Sequence, residues 1–211
     1  LTEVRPAPAE RAAREPFRAT LRASLAAPGL AALLVASGLL TEVHQTVTVF
    51  LNQLQYERCG MTSTAIGAVY IVTSLLGLCG AFSARFTGAV GPRRAVRLLC
   101  LAPALGCLVL MATDRAALSV GCVWLLRVSD SLFQPYRLRL QNAMVRTGNR
   151  ATALSIHAMV VDTVSIVTNL AFGALAEWDL RAALGFGAVA AVTALLLLER
   201  VRRRTGLQGK V

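Results

Sequence analysis

Residues 182–198 read AALGFGAVAAVTALLLL, a run without a single charged side chain. Arg181 precedes this run and Glu199 and Arg200 follow it. Residues 98–112, LLCLAPALGCLVLMA, form a second run of the same kind. A helix that crosses the hydrocarbon core of a bilayer needs about 20 mostly apolar residues. The sequence therefore predicts an integral membrane protein.

The composition agrees with this interpretation. Of the 211 residues, 55% are hydrophobic and 16% are charged, and the mean hydropathy is +0.59. A net charge of +11 is also found in nucleic-acid-binding proteins, but those spread their basic residues over one solvated face. Here the basic residues cluster between long apolar runs. We therefore expect the lipid bilayer, and no nucleic acid, as a partner.

The apolar runs predict an all-α, polytopic protein with six transmembrane helices. Pro28 suits the first turn of span one, and Pro135 is expected to bend or loosen the end of span four. The six predicted spans are Gly29–Gln53, Ala65–Phe82, Ala95–Ala112, Ala116–Gln134, Ala151–Trp178 and Leu180–Leu198.

The basic residues alternate between the two sides of these spans. Cytoplasmic loops of membrane proteins carry an excess of Lys and Arg. One side would hold Arg5, Arg11, Arg14, Arg18, Arg22, Arg85, Arg93, Arg94, Arg97, Arg137, Arg139, Arg146, Arg150, Arg200, Arg202, Arg203, Arg204 and Lys210. The other side would hold only Arg58, Arg115 and Arg181. This asymmetry predicts a multi-pass protein of the plasma (inner) membrane with both termini in the cytoplasm.

The chain divides into three predicted parts. Residues 1–27 form a cytoplasmic linker or amphipathic segment, because Phe17, Leu21 and Leu25 recur at helical spacing beside arginines. A flexible basic tail is the alternative for this part. Residues 28–199 form the six-helix bundle, and residues 200–211 form a basic cytoplasmic tail.

Ionisable side chains at membrane depth are costly and usually face a cavity or a partner. They occur in spans one, four and five, whereas spans three and six are apolar throughout their interiors. The first span of each triplet thus carries charge and the third carries none. This distribution predicts two inverted three-helix repeats around a central aqueous site.

Helical spacing selects the residues of that site. Glu42, Gln45 and Asn52 share one face of span one, and Asp162 and Asn169 share a face of span five with two serines. The predicted substrate or ion cavity comprises Glu42, His44, Gln45, Arg127, Asp130, Asp162 and Asn169. Two alternatives stay open: Arg127 and Asp130 can form a structural ion pair, and His44 can be a helix-packing residue instead of a proton carrier. His157 is interpreted as structural.

The turn between spans two and three carries a recognisable motif. Residues 80–86, GAFSARF, followed by GPRR at 91–94, resemble the loop signature of the major facilitator superfamily, Gly-x-Leu-Ala/Ser-Asp-Arg-x-Gly-Arg-Arg. The matching positions are Gly80, Arg85, Gly91, Arg93 and Arg94. The signature's Asp is replaced by Ala84, and extra residues precede the second glycine. A gate that depends on that Asp would be weakened here.

Further segments extend the resemblance over roughly residues 15–205. Residues 149–155 and 172–176 are similar to helix eleven of that family, and residues 60–67 are similar to the start of helix eight. The resemblance implies that spans one to six correspond to helices seven to twelve, the C-terminal half of a twelve-helix transporter. It also implies alternating access, with helices seven, eight, ten and eleven facing the cavity.

The expected function is therefore secondary active transport of a small molecule, with proton coupling through Glu42 or Asp162 as an option. Its expected partners are the N-terminal six-helix half or a second copy of the chain. A non-transporting membrane scaffold or assembly partner is the alternative. No enzyme activity, cofactor or metal is expected, because Gly-x-Ser-x-Gly and HExxH motifs are missing from the sequence.

Overall fold

The computed structural model describes residues 27–145 and 150–205, and these residues form helices joined by short turns, with no strand among them. Six helices are long and apolar enough to cross a membrane, which confirms the predicted all-helical, multi-pass architecture. We number them α1 (Leu30–Arg58), α2 (Ser63–Val90), α3 (Pro92–Ala112), α4 (Ala116–Met144), α5 (Arg150–Trp178) and α6 (Leu180–Thr205). The amphipathic segment predicted within residues 1–27 lies almost wholly outside the described residues.

Several helices extend beyond their predicted ends, α2 and α4 most of all. The prediction ended span two at Phe82 and span four at Gln134, whereas α2 continues to Val90 and α4 continues to Met144. Pro135 therefore lies inside α4 and does not end the helix. Proline removes one backbone hydrogen bond and crowds the preceding turn, but neighbouring helices can satisfy the freed carbonyl in a membrane bundle.

That freed carbonyl lies against α2. Pro135 has no N–H, so the carbonyl of Ser131 lacks its usual helical donor. Gly80 approaches this carbonyl so closely that a Cβ on Gly80 would lie 2.9 Å from its oxygen. One turn along, the hydroxyl of Ser83 donates to the carbonyl of Leu132 at 2.7 Å. The small residues of α2 therefore accommodate the irregular part of α4.

The helices pack in a regular order. α1 contacts α4, α5 lies beside α1, and α2 lies beside α4. α3 and α6 make the most extensive pairing with each other, while α3 also packs on α4 and α6 on α1. Because successive helices run in alternating directions, the start of α1, the α2–α3 turn, the end of α4 and the end of α6 lie at one end of the bundle.

The buried apolar residues form one cluster towards each end. Leu33, Leu99, Phe133 and Leu198 belong to the cluster at the end where α1 begins. Val47, Leu110, Leu126, Phe172 and Leu184 belong to the cluster at the opposite end.

α2 and α5 are the most exposed helices of the bundle. In their most apolar 18-residue windows only 11% and 17% of the residues are buried, against 39–67% in the other four helices. The faces of α2 and α5 are thus available to lipid or to another protein surface.

Candidate functional site

A groove of about 650 Å³ runs between α1, α4 and α5. Its wall is polar along one stretch of each helix. The polar lining residues are Thr41, Glu42 and Gln45 of α1, Arg137, Gln141 and Asn142 of α4, and Asp162, Ser165 and Asn169 of α5. Four of the seven residues predicted to form a cavity therefore line one groove: Glu42, Gln45, Asp162 and Asn169.

Glu42 is the most buried acid of this groove, with 4% of its surface exposed. One carboxylate oxygen, Oε1, accepts a hydrogen bond from the Thr46 hydroxyl at 2.7 Å. The same oxygen accepts a second from Nδ2 of Asn169 at 2.6 Å. Two donors on one oxygen stabilise a buried carboxylate. The hydrogen bond from Asn169 to Glu42 also links α5 to α1 inside the groove.

The backbones of α1 and α5 come close at Gly38. A Cβ on Gly38 would lie 2.8 Å from Cβ of Val164, closer than real Cβ atoms approach. Ser165 donates its hydroxyl to the Gly38 carbonyl at 3.4 Å. The missing side chain at Gly38 lets α5 sit near enough for Asn169 to reach Glu42.

Arg137 supplies the groove with a cation, although it lies beyond the predicted end of span four. Its Nη1 donates to the Thr41 hydroxyl at 3.0 Å. The guanidinium lies within electrostatic range of Asp162 and Asp130, and its Nε is buried without a hydrogen-bond partner among the described residues. Arg137 follows Asp130 by seven positions, two helical turns, so helical spacing puts it on the face of Asp130 and gives no signal for the groove.

Asn52 does not share a face with Glu42. Residues Thr46–Leu51 form a π-helical segment inside α1, and its wider turns change the phase of every later residue. Asn52 is 1% exposed and accepts a hydrogen bond from the Tyr70 hydroxyl of α2 at 3.0 Å. The prediction that put Asn52 beside Glu42 and Gln45 was therefore wrong, because it assumed regular α-helical spacing.

Arg127, Asp130 and His44 form a second polar cluster, between α1, α2 and α4, and none of them lines the groove. Nη1 of Arg127 lies 3.4 Å from Oδ2 of Asp130, and Nε2 of Gln134 lies 3.5 Å from the same oxygen. This geometry suits the ion-pair alternative for Arg127 and Asp130. On the other side, a Cβ on Gly77 of α2 would lie 2.7 Å from Nη2 of Arg127.

His44 touches the second cluster from α1. Its Nδ1 lies 2.7 Å from the Leu40 carbonyl and 3.8 Å from Oδ1 of Asp130. A carbonyl oxygen only accepts, so Nδ1 carries a proton. Nε2 is buried and has no hydrogen-bond partner among the described residues. A proton-carrying role for His44 stays a prediction.

The residues of the loop motif lie on two helices and the turn between them. Gly80 and Arg85 are on α2, and the Arg85 guanidinium lies 6.0 Å above the Phe82 ring. Gly91 has a φ of 85°, a conformation that favours glycine, and it ends α2. Arg93 and Arg94 lie in the first turn of α3.

Within the described ranges, no group of three or more His, Cys, Asp or Glu side chains could hold a metal ion. Comparisons of the chain with protein-family models, with curated proteins and with solved structures give no match.

Proposed function

We propose that this chain is one six-helix half of a secondary active transporter that moves a small molecule by alternating access. The observation that carries the proposal is the groove between α1, α4 and α5, which Glu42, Asp162 and Arg137 all line. Charge within a membrane is tolerated where it borders water or a partner charge. A non-transporting scaffold would account for the buried Glu42–Asn169 bond between α1 and α5, but not for the exposed Asp162 in the same groove.

The helix contacts support an arrangement as two inverted repeats, α1–α3 and α4–α6. When the triplets are exchanged, the α1–α5 contact becomes α4–α2, the α1–α6 contact becomes α4–α3, and the α1–α4 and α3–α6 contacts are unchanged. The polar ties between helices follow the same exchange. Ser165 of α5 donates to a carbonyl of α1, and Ser83 of α2 donates to a carbonyl of α4. Such repeats place their substrate sites near the middle of the bilayer.

In this proposal Glu42 and Asp162 are the groups that bind the transported species or a coupled proton. Thr46 and Asn169 hold Glu42 in place, whereas Asp162 faces the open groove and is exposed. Two carboxylates and one guanidinium leave the groove with an excess of negative charge. That excess favours a proton or an organic cation as the species that the carboxylates contact.

The open side of the groove and the exposed faces of α2 and α5 support pairing with a second six-helix body. That body is either an N-terminal half or another copy of this chain. The resemblance to the major facilitator superfamily predicts the same pairing. The excess of basic residues at the end where α1 begins supports a cytoplasmic location for both termini, in the plasma (inner) membrane.

The test is uptake into vesicles that contain the chain assembled with its second six-helix body, either the N-terminal half or another copy, with an imposed pH gradient and a panel of radiolabelled organic cations. Glu42→Gln and Asp162→Asn should each lower uptake about tenfold or more, because each removes a charged contact worth about 1.5–3 kcal/mol. Glu57→Gln and Glu177→Gln are the matched controls, since both acids are exposed on the same two helices and neither lines the groove.

Uptake by both controls should equal that of the unaltered protein. If Glu42→Gln and Asp162→Asn transport with unchanged rates and unchanged pH dependence, these carboxylates have no part in the mechanism. Transport by a six-helix monomer, shown by light scattering of the same preparation, would contradict the need for a second body.

A further inference from the structure

A second cavity, of about 260 Å³, lies between α1, α3, α4 and α6 at the end of the bundle where α1 begins. It is separate from the groove, which opens between α1, α4 and α5. Its interior is apolar, with Leu33, Val96, Leu140 and Leu198 among its lining residues. The space is equivalent to about nine water-sized groups of about 30 Å³ each. It can therefore hold a segment of one hydrocarbon chain but not a whole lipid.

Charged side chains surround the mouth of this cavity. Glu199 binds Arg97 through Oε1 at 2.7 Å and Arg202 through Oε2 at 2.6 Å. Arg93 lies in the cavity lining and within electrostatic range of the same carboxylate. Two guanidinium groups thus bind one carboxylate and occupy both of its oxygens, and a third guanidinium group lies near it without an ion pair. The mouth keeps an excess of positive charge.

One N–H donor of these arginines has no hydrogen-bond partner among the described residues. Nε of Arg202 is buried and has no hydrogen-bond partner within the described part of the chain, although Nη2 of the same side chain binds Glu199. A buried donor without an acceptor is costly. An anionic group at the mouth of the cavity would neutralise the excess charge, and a rotation of the Arg202 side chain, which is 21% exposed, would let that group accept from the buried donor.

We propose that this cavity binds an anionic phospholipid of the surrounding leaflet, with its phosphate on Arg93 and Arg202 and part of one acyl chain in the apolar interior. Basic pockets between transmembrane helices bind anionic lipid head groups in this way. A free phosphate ion would use the arginines but would gain nothing from the apolar walls. The site lies between the starts of α1 and α3 and the ends of α4 and α6, so a bound lipid would fasten these helices together. This proposal does not depend on the transport function.

The experiment measures binding of phosphatidylglycerol, phosphatidylcholine and inorganic phosphate to the purified full chain by native mass spectrometry from a mild detergent. The double variant Arg93→Gln/Arg202→Gln should weaken phosphatidylglycerol binding about tenfold or more. Arg94→Gln/Arg200→Gln is the matched control. It removes the same charge from neighbouring exposed positions that do not line the cavity. Its loss of phosphatidylglycerol affinity should therefore be about tenfold smaller than that of Arg93→Gln/Arg202→Gln.

A further variant tests the apolar half of the site. Leu140→Phe fills part of the cavity without a change of charge, and it should weaken phosphatidylglycerol binding while all arginines stay in place. Size-exclusion profiles and melting temperatures establish that each variant is folded. Phosphatidylcholine should bind weakly to every variant.

Three results would overturn the proposal. Equal losses in the two double variants would mean that lipid is held by diffuse surface charge alone. Displacement of phosphatidylglycerol by inorganic phosphate at equal concentration would mean a site for a soluble anion. Unchanged binding to folded Leu140→Phe would mean that no acyl chain enters the cavity.

Discussion

The bond between Asn169 and Glu42 is the most sharply testable tie between α1 and α5. Asn169→Ala removes the amide donor that lies 2.6 Å from Oε1 of Glu42. Glu42 is only 4% exposed, so only water that enters from the groove can replace the lost donor. Thr46 remains as its single hydrogen-bond donor among the described residues. We expect Asn169→Ala to lower the free energy of unfolding.

The size of this loss follows from the geometry. Polar contacts between membrane helices contribute about 0.6 kcal/mol on average and up to about 1.7 kcal/mol, and hydrogen bonds to charged groups contribute about 1.5–3 kcal/mol. The short distance favours the upper range, but Asn169 is itself exposed to the groove, where water competes. We expect a loss of about 1–2 kcal/mol, or roughly 5- to 30-fold in the unfolding equilibrium.

The assay is reversible unfolding in dodecyl maltoside micelles by added sodium dodecyl sulfate, followed by the fluorescence of Trp124 and Trp178. Asn142→Ala is the matched control, because within residues 27–145 and 150–205 the Asn142 amide donates to a carbonyl of its own helix and to no other group. Its loss should stay within about 0.5 kcal/mol. In a Glu42→Met background, Asn169→Ala should lower the free energy of unfolding by no more than about 0.5 kcal/mol, as the control does.

Either of two results would refute this reasoning. Equal losses for Asn169→Ala and Asn142→Ala would mean that the interhelical bond contributes nothing. An unchanged loss in the Glu42→Met background would mean that Asn169 acts through some other contact.

Two further stability predictions use the same assay. Gly38→Ala should lower the free energy of unfolding by about 1–3 kcal/mol, because the new Cβ would lie 2.8 Å from Val164 of α5. Gly173→Ala is the control: a Cβ there has nothing within 4 Å, so the change should be neutral or stabilising by up to about 1 kcal/mol. Equal effects of the two substitutions would contradict the close α1–α5 packing. Arg58→Met should lower the free energy of unfolding more than Asp114→Asn does. Arg58 binds the Asp114 carboxylate at 2.8 Å and also a backbone carbonyl of the α3–α4 turn at 2.7 Å. Asp114 is 58% exposed, so Asp114→Asn should cost about 0–1 kcal/mol, and a larger loss in Asp114→Asn than in Arg58→Met would refute this order.

The six helices were predictable because each apolar run, such as residues 182–198, is long enough to cross a bilayer and is bounded by charged residues. Their ends were less predictable. Arg85 lies on α2 and Arg137 on α4, because a long basic side chain can extend from a helix towards water without ending the helix. A charge therefore marks the edge of the hydrocarbon region and not the end of the helix.

The site was predictable only where α-helical spacing holds. Glu42 and Gln45 precede the π-helical segment of α1 and line the groove as predicted, whereas Asn52 follows that segment and faces α2. The residue types at Thr46–Leu51 do not predict a π-helix. Such segments are rare and occur mostly as single turns inside α-helices, so their position is not predicted by helical spacing.

The partners of the charged residues depend on tertiary packing. Arg127 and Asp130 were expected to share the cavity of Glu42, but they form a cluster of their own beside α2. Arg137, two turns after Asp130, takes the groove position in their place. Helical spacing shows which residues share a face, but it does not show which neighbouring helix that face meets.

The most direct test of the account asks whether the groove holds water. In a background where the partly exposed Cys59, Cys79 and Cys122 are replaced by Ala, single cysteines are placed at Ser165, in the groove, and at Val167, which is 64% exposed outside it. Both lie at nearly the same membrane depth. A thiol reacts as its thiolate, which needs water, so a hydrophilic methanethiosulfonate should label Ser165→Cys about tenfold faster or more. Equal rates, or faster labelling of Val167→Cys, would contradict a wet path beside Glu42.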